Sequence, residues 1–411
     1  MPFCAPSIGE EEIAEVIDTL RRGQLSAGPK VKAFERDFAA YTNSAHAIAL
    51  NSCTSALSLA LAALGIGPGD EVIVPTMTFC ATANVVEHRG AKPVIVDVGE
   101  DMQIDPVAAA AAISPRTRAV IPVHYGGQAC NLESILKLAR RNDIHVIQDA
   151  AHAVGTEYEG ARIGSLGRLT AFSFYPSKNI TTGEGGMLTT NEDGLAARLR
   201  ELAVHGIHRC ARARTQENQP WEYEVHEPGY KANMPEMQAA IGIQQLKKLD
   251  GFVNRRREIA RRYAEAFADL DGLILPGDRP GRKHVYHLYA LRILSDSFDR
   301  QDFMQQLQSC NIGASVHYIP LHRHPFYKAK YRYAAGAFPV ADALFRQIVS
   351  IPLYPAMSDQ DVEDVIAAVR QAVLRMQAAV YVRHVDSALA QASGAGQAHD
   401  ESASIESRTS A

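Results

Sequence analysis

Through its first half the chain alternates short apolar runs with stretches whose apolar residues recur at helical spacing. AHAIAL (45–50), EVIVP (71–75), KPVIVDV (92–98), RAVIPVH (118–124) and HVIQDA (145–150) read as strands. Helical patterns fall between them, at 53–64, near 78–89 and at NLESILKLARRN (131–142). Continuous apolar strands joined by helical crossovers predict an α/β fold, with a mostly parallel sheet covered on both faces. TAFSFY (170–175) and GGMLTT (185–190) add strands, and a helix is expected from about Asp193 to His205.

The pattern changes after that helix. Residues 206–232 are polar, rich in Arg and His, and carry the single Trp, Trp221; they read as a long irregular loop, a length usually kept for function. Residues 235–270 are strongly helical, as one bent helix or two. From about Leu275 strand and helix patterns return, with HVYHLYALRI, a helix at 300–309 and a strand at ASVHYIPL (314–321). The expected organisation is a large domain over 1–250, a smaller α+β C-terminal domain over 251–380, and a tail over 381–411. The tail is poor in large apolar residues and is expected to be disordered.

Composition narrows the setting. The 411 residues carry 42 Lys+Arg against 46 Asp+Glu, a formal charge of −4, so bulk binding to nucleic acid or membrane is not indicated. No apolar run reaches transmembrane length, and the N-terminus lacks a secretory pattern. Six cysteines without metal-type spacing suit free thiols and no metal site. The expectation is a cytoplasmic protein.

Two residues suggest chemistry. Asp149 ends one apolar run and Lys178 follows another, in AFSFYPSKN. A lysine that forms a Schiff base and a carboxylate that pairs with a protonated pyridine nitrogen make a pyridoxal 5′-phosphate (PLP) site. TTGEGG (181–186) follows the lysine, and its glycines allow close backbone approach. Ser52, Thr54 and Ser55 open a helix, where free N–H groups and hydroxyls either hold a phosphate or only cap the helix. Ser173 and Ser177 are a second hydroxyl source. Phe79 lies at the expected ligand edge of the sheet, either to stack on a ring or as core. His152 either touches that ring or is structural.

These segments resemble the PLP-dependent sugar aminotransferases of the DegT/DnrJ/StrS type. The resemblance is carried by GPKVKAFERDFAAYT, NSCTSALSLALAALGIGPGDEVIVPTMTFCATANVV, AKPVIVDV, IQDAAHAVGTEYEG, SFYPSKNITTGEGGMLTTN, HGIH, GYKANMPEMQAAIGIQQL and VHYIPLHRHPFY, in family order from about residue 8 to 375. It implies a type I PLP aminotransferase fold and a homodimer with active sites at the interface. By motif position Lys178 carries PLP, Asp149 pairs with the ring nitrogen, His152 lies near the ring and Phe79 stacks. Thr54, Ser55 and Ser173 hold the phosphate. Cys53 stands where the family often has Gly. GYKANM replaces GxNxRM, putting Lys231 where an Asn often reaches the partner's phosphate.

The implied activity is transfer of an amino group, from glutamate, to a nucleotide-linked keto sugar in two stages, in a branch acting on sugars such as 4-keto-arabinose and related UDP-sugars. Arg209, Arg212 and Arg214 offer guanidinium groups for a diphosphate, or form a solvated basic loop. Tyr318 and His322 line the sugar pocket or pack. Two rivals stand beside this reading. A PLP-dependent sugar dehydratase carries His at the lysine position, so Lys178 opposes it. A non-catalytic regulatory protein on the same fold is opposed by intact Lys178, Asp149 and His152.

Overall fold

The structure, a computed structural model, describes residues 1–208, 223–294 and 299–378. The apolar runs of the first half form one seven-stranded sheet. Its strands are β1 (His46–Leu50), β2 (Glu71–Pro75), β3 (Lys92–Val96), β4 (Thr117–Val120), β5 (His145–Asp149), β6 (Leu169–Ser173) and β7 (Gly186–Thr190). The spatial order is β1-β7-β6-β5-β4-β2-β3. Only β7 runs against its neighbours; the other pairings are parallel. Parallel strands need crossover connections; those from β2 to β3 and from β4 to β5 carry a helix, whereas β5 reaches β6 through a small hairpin, Glu157–Tyr158 with Ala161–Arg162.

Helices cover both faces, as the apolar strands require. They are α1 (Glu10–Arg22), α2 (Pro29–Thr42), α3 (Cys53–Ala63), α4 (Ala81–His88), α5 (Pro106–Ala111), α6 (Leu132–Asn142) and α7 (Asp193–Leu202). α3, α4 and α7 share one apolar core with the sheet. α3 is apolar nearly all round, and Leu57, Leu59 and Leu61 are each at most 1% exposed. Burying such side chains is worth about 1.5–3 kcal/mol each, which fixes this helix against the sheet. Its first turn is thereby fixed at the strand ends.

The sequence left 235–270 open between one helix and two. It is one helix, α8 (Glu236–Phe267), of 32 residues. Its first residue also caps another helix. Glu236 accepts the N–H groups of Gly28 and Val31 at 2.8 Å and of Lys30 at 3.0 Å, because the Gly28 cap of α2 has no side chain to do so. α8 runs unbroken through residues 250 and 251. Its first half packs in the large domain through Leu246, Leu249 and Val253. Its second half enters a separate core through Ile259, Tyr263 and Phe267.

That second core holds a three-stranded antiparallel sheet, β8 (Leu273–Ile274), β9 (Tyr289–Ile293) and β10 (Ile348–Ile351). α9 (Arg300–Ser309) and a helix over 359–378 cover it. One expected strand is corrected. ASVHYIPL makes a single bridge, Ser315 to Ser350, and then leaves the sheet for a short 3₁₀ turn at Leu321–Arg323. In the 206–232 stretch, Ile207–His208 pairs with Glu224–Val225. Residues 209–222, with Arg209, Arg212, Arg214 and Trp221, lie outside the described residues, as does the 381–411 tail.

Candidate active site

Strand ends and helix starts meet at one cavity of about 440 Å³. That volume falls within the range of ordinary small-ligand pockets. Both domains line it. The large domain contributes Thr54, Phe79, Asp149, His152, Ser173 and Lys178, and the small domain contributes His287, His317 and Tyr318. Among the described residues no group of side chains is arranged to hold a metal ion.

The glycines after Lys178 do what close approach requires. Gly183 turns the chain at a φ of +79°. Gly186 starts β7 against the first turn of α3, where a Cβ would stand 2.4 Å from the carbonyl carbon of Ser52. A side chain there would push α3 away from β7. Ser52 caps α3 by accepting the Ser55 N–H at 3.0 Å. Helix geometry leaves the N–H groups of Cys53 and Thr54 without intrahelical acceptors. Cys53 opens the helix with an ordinary backbone, so its replacement of Gly adds no strain. Thr54 is exposed, whereas the Ser55 hydroxyl is tied to Ser52 at 3.0 Å and does not line the cavity.

Asp149 ends β5 and is 5% exposed. Its carboxylate accepts the Thr82 hydroxyl at 2.9 Å and the Ala151 N–H at 3.1 Å. Thr82 spends its proton on the carboxylate, so the Thr78 hydroxyl at 2.8 Å donates to Thr82. Burial raises the Asp149 pKa, against these two hydrogen bonds and the nearby Lys178 charge. A cation brought against this carboxylate relieves that penalty. Lys178 follows β6 in a turn. Burial pulls its pKa down to about 8, although Cys53, Asp149 and Cys4 act the other way.

His152 sits between the domains. Its Nδ1 accepts the Gly126 N–H at 3.2 Å, and its Nε2 lies 2.8 Å from the Tyr318 hydroxyl. Burial, with Lys178 and His317 adding to it, holds the pKa far below the usual imidazole range. The ring is therefore neutral, with its proton on Nε2 and directed at the Tyr318 oxygen. Tyr318 thus keeps its own hydroxyl proton for a group in the cavity. Phe79 is 58% exposed, with its ring centroid 6.0 Å from that of Tyr318. An exposed aromatic at a cavity offers a flat surface to a ring.

Other expected residues are placed elsewhere. His322 does not line this cavity; Nδ1 is held by Thr76 at 2.7 Å and Nε2 by Asp342 at 3.1 Å. Lys231 is exposed, outside the lining, and donates to Asn233 at 2.6 Å. Sequence reasoning missed Phe3, Cys4, Thr82, His287 and His317. Only TxxxT spacing at Thr78 and Thr82 hinted at one of them, since helical spacing puts such hydroxyls within reach.

A buried carboxylate without a cation hydrogen-bonded to it, a lysine of lowered pKa, an anion-binding helix start and an exposed aromatic ring together fit PLP. Comparisons agree. The sequence profile described as the DegT/DnrJ/EryC1/StrS aminotransferase family matches residues 6–370. The chain is 50% identical over 377 residues to the Bacillus subtilis spore coat polysaccharide biosynthesis protein SpsC, covering 91% of this chain and 97% of that one. The structure also matches the putative sugar aminotransferase Spr1654 from Streptococcus pneumoniae. Its PMP form gives a TM-score of 0.87 at 33% identity, covering 92% of this chain and 100% of the other. Its PLP form gives 0.85 at 32%, covering 92% and 99%.

Proposed function

This chain belongs to the DegT/DnrJ/EryC1/StrS aminotransferase family, with a type I fold and PLP as cofactor, and we propose that it moves an amino group from glutamate to a nucleotide-linked keto sugar. The observation that carries this reading is the placing of Lys178 and Asp149 in one cavity, with the lysine pKa lowered to about 8. Lys178 opposes the dehydratase alternative. The test is purified protein with PLP, glutamate and a panel of UDP- and dTDP-linked keto sugars. Amino sugar and 2-oxoglutarate should form together; transfer to none of the panel would overturn the reading.

In this reading Lys178 carries the cofactor and Asp149 faces its ring nitrogen. Phe79 and His152 would contact the ring, and Thr54 and Ser173 would hold the phosphate. When bound, PLP supplies an electron sink for the charge left at a carbon that loses its proton. The residues do the rest. Asp149, anchored by Thr82 and Ala151, keeps a proton on the facing nitrogen. Lys178, once released, is a base matched to neutral pH. It takes the proton from the donor carbon and later returns one to the sugar carbon. Tyr318, its oxygen held by His152, offers its hydroxyl proton to the bound substrate.

A second copy of the chain completes the site in this proposal. α1 leaves Ile13 (44% exposed), Ile17 (40%) and Leu20 (53%) on one open stripe, a surface suited to a homodimer contact. Lys231 is placed for an anion in the neighbouring subunit, and Arg209, Arg212 and Arg214 for the substrate diphosphate. The five described cysteines are free thiols, which supports a cytoplasmic setting; no described helix is long and apolar enough to cross a membrane. Subunit exchange tests the shared site. Lys178→Ala and Lys231→Ala chains, each inactive, should regain activity when mixed, since one site of each mixed dimer has both lysines. Confirmed mixed dimers without activity would refute it.

A further inference from the structure

The cavity has a second polar wall that the reaction above leaves unused. His287 lines it and is 7% exposed. Its ring lies against His152, with centroids 4.3 Å apart. Among the described residues the His287 ring makes no hydrogen bond, and its Nδ1 is sealed without a partner. His317 lines the same wall, its Nδ1 tied to the Ser350 hydroxyl at 3.0 Å and its ring stacked on Phe3 at 5.2 Å. Cys4 lines the cavity beside them.

Behind this wall lies an unpaired cation. Arg256, on α8, is 2% exposed. Its guanidinium donates to the carbonyl oxygens of Leu353 at 2.7 Å, Tyr286 at 3.3 Å and His287 at 3.5 Å. Its Nε has no partner, and among the described residues no carboxylate pairs with it. Burial lowers its pKa only to about 10, so the charge persists at neutral pH. A buried cation without a counter-ion is costly. Its field is felt along the wall. After burial, His152, Lys178 and Arg256 depress the His287 pKa, and Lys178 depresses that of His317.

Such a wall calls for an anion. The reaction offers three: the cofactor phosphate, the substrate diphosphate and the donor carboxylate. The start of α3 serves the phosphate. The diphosphate is separated from the reacting carbon by a sugar ring. The α-carboxylate is bonded to the carbon that carries the reacting nitrogen, so it must lie in the cavity that holds Lys178. We infer that the wall of Cys4, His287 and His317, backed by Arg256, is the subsite for the α-carboxylate of the amino donor. This rests on the aminotransferase reading above. In positive surroundings a bare Nδ1 costs less than a sealed N–H, so the His287 proton sits on Nε2 and donates to the carboxylate.

Succinate, a dicarboxylate with no amino group, is the probe. It is titrated calorimetrically into the PLP-loaded enzyme, wild type and variants. His287→Leu should weaken succinate about ten- to hundredfold, the loss typical of a hydrogen bond to a charged group. His287→Gln keeps an N–H donor and should retain most of the affinity. The ring makes no protein hydrogen bond, so both variants should fold, as melting temperatures will show. In kinetics the KM for glutamate should rise far more than the KM for the keto sugar. Succinate that fails to bind wild type, or binds His287→Leu equally well, overturns the subsite. So does binding of inorganic phosphate or pyrophosphate, but not succinate, that is lost in His287→Leu. Succinate binding needs no turnover. A protein inactive on every keto sugar would therefore sink the function alone, and an active one with unchanged succinate binding the subsite alone.

Discussion

Lys178→Ala should abolish amino transfer, with the glutamate half-reaction slowed by at least about four powers of ten in a single-turnover measurement. Among the described residues of one chain no other lysine lines the cavity, so none within it can replace its amine. PLP can still settle on the α3 helix start, so binding should outlast turnover. Lys178→Arg should fail as completely, because a guanidinium stays protonated at neutral pH and cannot accept the donor's proton. Full turnover in either variant would remove the assigned role. The lowered pKa gives a separate readout. Below pH 8 the amine is protonated and unreactive, and above it the neutral form dominates. An amine-directed reagent on cofactor-free protein should therefore modify Lys178 half-maximally near pH 8, not near the ordinary 10.5. A half-point above pH 10 would contradict the effect of burial.

Asp149→Asn should keep the shape of the site and lose its charge. Ala151 and Thr82 meet different oxygens, so the amide oxygen can keep the Ala151 N–H while the new NH2 donates to the Thr82 oxygen, whose proton turns to Thr78, and the fold should survive. The facing nitrogen then loses the partner that holds its proton. Breaking a buried ion pair costs about 3–5 kcal/mol, which is roughly two to four powers of ten in rate if it falls wholly on the chemical step. Stopped-flow measurement of the glutamate half-reaction checks this. PLP affinity, measured in the same preparation, should fall far less. A rate equal to wild type would show that Asp149 does not face the ring nitrogen.

Lys178 and Asp149 were legible because each follows a continuous apolar run, and a strand end in a parallel sheet is where such a run delivers a polar side chain. The seven strands were legible for the same reason. ASVHYIPL was misread because its apolar residues serve packing and cavity lining rather than a sheet. Val316 packs on the large-domain core, while His317 and Tyr318 line the cavity. The segment is shared between two surfaces without being paired along its length. Thr82, His287 and Arg256 were out of reach for a different reason. Their roles arise only where α4, α8 and the small domain converge, and no local spacing encodes that. His322 carried the right atoms, but Thr76 and Asp342 hold both ring nitrogens, and Ser55 does not line the cavity.

The pairing of β1 with β7 has a consequence for how the chain is made. β1 is an edge strand whose one neighbour within the sheet is β7, apart from a single bridge from Leu50 to Asn233, and Leu50 meets Gly186 across 136 positions of sequence. At about 5–20 residues per second, a ribosome needs roughly 7–27 s to cover that distance. Through that interval Ala47, Ile48, Ala49 and Leu50 have no strand to pair with, although all are buried in the finished protein. The nascent chain thus carries an apolar edge that invites strand pairing with other chains. Chaperone demand during synthesis should fall on this early segment, and overproduction should first yield aggregates nucleated there.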